Sequence, residues 1–177
     1  MRVEFLCFMV AVAAASLVSG VGVRHTEAIA GRAAAALLET TTETSCTLLL
    51  FTDKISTLTV FPDILEVWRR QWGVTVFTVE ANSIDFNVTR RFSLLVPLAR
   101  QVRQLSWCAT IVVVSRELAF LTAFAEWSLR GRLLVWATKL VVLTRLPLPQ
   151  LHALLSAYWT FSMMNTVFLN MENNYSK

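Results

Sequence analysis

The chain has 177 residues and a formal net charge of +4, with 16 Lys and Arg against 12 Asp and Glu, and 55% of it is hydrophobic. That apolar fraction excludes a disordered polypeptide and fits a well-buried core. The basic residues are scattered without a dense run, so no nucleic-acid surface is expected.

Residues 1–20, MRVEFLCFMVAVAAASLVSG, place Arg2 before an apolar stretch from Phe5 to Val18, with small residues after it. This is the layout of a secretory signal peptide, expected to be cut after Gly20. A retained anchor helix is the competing reading, disfavoured by the short core and the missing stop-transfer flank. Removal leaves about 155 residues, enough for one domain with its own core. Residues 21–45 form an Ala-rich lead-in (VGVRHTEAIAGRAAAALLE) and a TTTETS linker, and the extracellular domain is expected over 46–177.

From residue 46 onward, strand-like and helix-like segments alternate. Thr47–Phe51 is strand-like. Residues 62–71 have helical spacing through Phe61, Ile64, Leu65, Trp68 and Trp72, with Pro62 in the first turn and Gly73 past the end. Val74–Val79 is a strand of β-branched and aromatic residues, and Ala81–Thr89 a polar loop. A helix over 92–105 carries Phe92, Leu95, Ala99 and Val102 on one face, and Pro97 starts or kinks it. Ala109–Val114 (ATIVVV) is the clearest strand. Ser115 then fits an N-cap, with Glu117 at the positive end of a helix buried through Leu118, Leu121, Phe124 and Ala125 and ended by Gly131. Leu133–Ala137 and Leu140–Leu143 are expected strands. Pro149 opens a last helix with Leu151, Leu154, Leu155 and Tyr158 on one face, and Met164–Met171 is a final strand.

Strands alternating with helices imply a three-layer α/β sandwich with a mostly parallel sheet of about four or five strands and right-handed crossovers. No transmembrane span is expected after the N-terminal segment. Arg130, Arg132, Lys139 and Arg145 divide the apolar run at 123–151, and Arg116, Glu117 and Glu126 interrupt the one at 109–128.

Cys7 falls in the N-terminal segment, which leaves Cys46 and Cys108 as a pair in an oxidising compartment. Each precedes an apolar run. If those runs are neighbouring parallel strands, the cysteines meet at one end of the sheet and form a disulfide; two buried free thiols are the other reading. Asn87-Val-Thr and Asn174-Tyr-Ser are candidate N-glycosylation sites, with Asn87 in a loop the better placed.

No catalytic constellation is present. The two histidines, His25 and His152, belong to no metal-spaced cluster, and no nucleotide-binding or nucleophile-elbow motif occurs. No metal, cofactor or enzymatic activity is therefore expected. Cys108 with His152 as base is an imaginable nucleophile, far less favoured than a disulfide. Ligands of open α/β sheets bind beyond the carboxyl ends of the strands. Those ends carry Thr52, Asp53, Glu80, Asn82, Ser115 and Thr138, and Thr52, Asp53, Glu80 and Ser115 are weak ligand-site candidates that also suit capping. The six tryptophans suit a core more than aromatic recognition. Arg69/Arg70, Arg90/Arg91 and Arg100/Arg103 suit solvated helix faces.

Residues 106–156, SWCATIVVVSRELAFLTAFAEWSLRGRLLVWATKLVVLTRLPLPQLHALLS, resemble the N-terminal extracellular region of arthropod ionotropic receptors, especially the crustacean set. These are divergent relatives of ionotropic glutamate receptors used mainly in chemosensation. FAEWSLRGRLLVWATKLVVLTRLPLP is the most specific part. ARQVRQLSW (99–107), ILEVWRRQWGV (64–74) and WTFSMMN (159–165) are similar too, so the likeness spans about 46–170. The resemblance implies one lobe of a periplasmic-binding-like domain in a subunit of a ligand-gated cation channel, partnered by other ionotropic receptor subunits. It implies the secretory pathway and the extracellular face of the plasma membrane. The family's bilobed ligand-binding domain and pore have no counterpart here, so no family ligand residue carries over. The expected account is a truncated ectodomain acting as an assembly module without chemistry; the alternative is a secreted, autonomous α/β protein that binds a small ligand.

Overall fold

The computed structural model describes residues 46–53, 74–79, 85–105, 108–162 and 165–170. In chain order these form β1 (Thr47–Asp53), β2 (Val74–Val79), α1 (Asp85–Gln104), β3 (Ala109–Val114), α2 (Leu118–Arg130), β4 (Lys139–Thr144), α3 (Leu148–Ala157), a 3₁₀ turn (Trp159–Phe161) and β5 (Asn165–Asn170). The strands make one sheet of order β2-β1-β3-β4-β5, and every neighbouring pair is parallel. The chain is an α/β protein with a doubly wound strand order, in which the topological switch point lies between β1 and β3.

The register sorts the strand residues onto two faces, because alternate side chains point to opposite sides. On one face Phe77, Phe51, Val113, Val142 and Phe168 stand in a row across all five strands. That face packs against Val88, Phe92, Val96 and Ala99 of α1, Phe120, Leu121, Phe124 and Ala125 of α2, and Leu151 and Leu154 of α3. Phe51, Phe77, Phe92, Phe120 and Phe124 form a contiguous aromatic cluster with centroids 5.0–6.1 Å apart, and Phe161 packs edge-on against Phe168. On the opposite face Leu48, Leu50, Val112, Val114, Val141 and Leu143 are buried as deeply. Burial on both faces explains why β3 is an unbroken apolar run rather than an alternating one.

Several expectations need correction. The helix over 92–105 begins at Asp85 and runs through Pro97, an exposed residue on the outer side. The expected loop 81–89 is therefore helical from residue 85, and Asn87 sits in a first helical turn. Leu133–Ala137 is not a strand: the segment from Gly131 to Thr138 is a loop, and only Lys139–Thr144 joins the sheet. It is closed by the Val135 amide donating to Thr138 Oγ1 and the Thr138 amide donating to the Val135 carbonyl. Arg132 takes a left-handed φ of 51° there. Leu118, expected in the buried stripe of α2, is 40% exposed; the helix instead buries Phe120, Leu121, Ala123, Phe124, Ala125 and Ser128. The last helix starts at Leu148, with Pro149 in its first turn. Trp136 is 88% and Trp159 60% exposed, so neither belongs to a core. The helix expected over 62–71, with Trp68, Trp72 and Arg69/Arg70, lies outside the described residues. So do Trp107, the signal peptide and the lead-in.

Gly131 ends α2, where its backbone N–H bonds the Trp127 carbonyl at 2.8 Å. Its conformation is right-handed, so the glycine is not required by backbone angle. Space requires it: a Cβ there would stand 2.3 Å from Val96 Cγ1 of α1. The residue lets α1 and α2 approach closely.

Candidate functional site

The β1–β3 ladder pairs residues 62 apart, from Thr47↔Ala109 to Thr52↔Val114. One step beyond its N-terminal end, Cys46 and Cys108 are joined by a disulfide, with Cα atoms 4.8 Å apart and the same separation of 62. The Thr47 amide donates to the Cys108 carbonyl beside it. Cys108 is thus committed to a sulfur–sulfur bond and does not offer a thiolate to His152, which is exposed on α3.

One step beyond the other end of the ladder stand Asp53 and Ser115, again 62 apart. The Ser115 hydroxyl donates to Asp53 Oδ2 at 2.6 Å, in a setting where both residues are 1% exposed. Ser115 Oγ also accepts from the Glu117 amide at 3.0 Å. Ser115 is therefore not the N-cap of α2; that position is Glu117, whose side chain makes no capping bond. The serine instead turns the chain into α2 while holding the end of β1. Thr52 Oγ1 donates to the Asp53 carbonyl at 3.0 Å.

Three of the four weak ligand candidates, Thr52, Asp53 and Ser115, thus come together at the switch point, the place where doubly wound sheets open a crevice. Glu80 and Asn82 lie outside the described residues. Thr138 does not join them: it precedes β4 and sits at the opposite end of the sheet. Along the same carboxyl edge Thr144 Oγ1 accepts from the Leu146 amide at 3.2 Å, and Asn170 Nδ2 donates to the Leu146 carbonyl at 3.0 Å. The Ser115 amide bonds the Leu143 carbonyl at 3.1 Å. Thr144 and Asn170 escaped sequence reading because their strands were bounded one residue differently; a polar residue ending each apolar run was the available signal. These bonds join one strand end to the next, so the row stitches the carboxyl edge of the sheet.

Among the described residues no cluster of three or more His, Cys, Asp or Glu is placed to hold a metal ion. None of the described helices is long and apolar enough to cross a membrane. Asn87 has its backbone in α1, and Asn174 lies outside the described residues. Arg90 and Arg91 are exposed, whereas Arg100 and Arg103 are half-buried. Trp127 is half-buried, with the Arg130 guanidinium 5.4 Å from its ring centroid. No family model and no curated protein matches the chain.

Proposed function

We propose that this chain is an extracellular module of an ionotropic-receptor-type channel subunit, contributing folding and assembly rather than chemistry. The observation that carries the proposal is the Cys46–Cys108 disulfide across the two central strands, a bond that persists in oxidising compartments. A signal-peptide-like N-terminus and the likeness of residues 46–170 to receptor ectodomains support the same reading. On it the chain enters the secretory pathway, faces the outside of the plasma membrane and pairs with other ionotropic receptor subunits. Expression in a secreting animal cell tests it. The expected product is disulfide-bonded and is captured with co-expressed ionotropic receptor subunits. A cytosolic chain with both thiols open to maleimide overturns the reading.

The Asp53–Ser115 pair favours a second reading, a secreted α/β protein that binds a small polar ligand at the switch point. A ligand that raises the melting temperature of the parent chain but not of Ser115→Ala would favour it.

A further inference from the structure

Because every strand is parallel, all connections that enter strands lie at one end of the sheet. The last turns of the helices and these entry connections carry Arg103, Arg130, Arg132 and Lys139. Among the described residues of 102–108, 127–139 and 155–165 there is no Asp or Glu. Among the described residues, Glu126 lies one turn back along α2 and is ion-paired with Arg130 at 2.6 Å. The same end bears Leu105, 87% exposed just past α1, and Trp136, 88% exposed in the loop before β4. Trp159 is exposed on the connection to β5, beside half-buried Tyr158. At the exit end Arg116 and Arg145 are offset by Asp53 and Glu117. Among the described residues, the two most exposed large apolar side chains, Trp136 and Leu105, therefore lie at the end with the excess of positive charge.

We propose that this entry end docks onto a bilayer surface carrying anionic headgroups. Indole rings favour the headgroup boundary, where an apolar body and a polar N–H are both accommodated. Arg and Lys around them draw the surface toward negative lipid. Leu105 adds apolar area that a soluble polyanion would not cover. Trp136 projects from the loop closed by Thr138, so it is presented without a helix having to rearrange.

Flotation of the full chain with vesicles tests it, using phosphatidylcholine alone and phosphatidylcholine doped with phosphatidylglycerol. Binding is expected to the doped vesicles and to be lost in about 1 M salt, where screening is nearly complete. Trp136→Ala/Trp159→Ala should weaken it about tenfold or more, and Arg132→Asn, which tolerates the left-handed φ, about fivefold. Arg116→Asn at the exit end should leave it unchanged. All variants are taken from the same secreting cells and begin at the same residue as the parent, and circular dichroism confirms that each is folded. Equal binding by parent and entry-end variants overturns the proposal, as does an equal loss in Arg116→Asn. Retention on a soluble sulfated polysaccharide without vesicle binding overturns it as well.

Discussion

Asp53 is buried at the end of β1 and accepts a 2.6 Å hydrogen bond from Ser115. Removing one partner of a buried hydrogen bond leaves the other to bear its desolvation, at about 1–3 kcal/mol. Ser115→Ala is therefore expected to destabilise the fold by about that amount, measured by urea unfolding. A change below about 0.5 kcal/mol would mean that the pair is not a strand clamp. Gly131 yields a prediction of opposite logic. Gly→Ala at a compatible φ usually stabilises by about 0.4–1 kcal/mol through the unfolded chain. Here the new methyl would meet Val96 Cγ1 at 2.3 Å, and overpacking of that kind costs about 1–3 kcal/mol. Gly131→Ala should lower stability, and adding Val96→Ala should restore part of the loss. Additive losses in the double variant would show that the contact is not the cause.

The elements β1 and β3 are adjacent in space but 62 residues apart in sequence, and the disulfide closes that loop at one end. A loop of that length is held by roughly 4 kcal/mol of chain entropy in the unfolded state. Replacing both Cys46 and Cys108 with Ala should cost about 2–5 kcal/mol, read as a lower urea midpoint. An unchanged midpoint would mean that the β1–β3 ladder holds itself. Sequence reading found β2 and β3, because apolar runs are local signals, and it offered the meeting of the two cysteines as one of two readings, conditional on a strand order that it could not see. It misplaced Leu133–Ala137 because a short run of Leu and Val has no period by which to tell a strand from a loop. Leu133 and Leu134 are indeed buried, but as loop residues in the core rather than in the sheet. It also delayed the start of α1 by seven residues. Pro97 suggested a start or kink, yet an exposed proline on the outer side is carried within a packed helix. The candidate site was legible as a set of strand-end polar residues. The Asp53–Ser115 bond was not, since it depends on strand order, which no local pattern encodes.

At the scale of the whole molecule the distinguishing feature is a sheet buried on both faces. Val112 and Val113 are neighbours on β3, both fully buried, and point to opposite sides. Val113 faces the described helices, with Val142 and Phe51 beside it; Val112 lies on the side of Leu50 and Val141. A sheet with one wet face would reject a charge at only one of these positions. In a doubly covered sheet, Val113→Asp and Val112→Asp each place an unpaired carboxylate in an apolar layer, at a cost of several kcal/mol. That rivals the whole stability of an ordinary domain. Both variants should therefore fail to yield folded protein, whereas Gln101→Asp on the exposed side of α1 should fold as the parent does, read by circular dichroism. Parent-like folding of Val112→Asp, with Val113→Asp still unfolded, would mean that the second face is open and that the buried ladder serves one layer of helices.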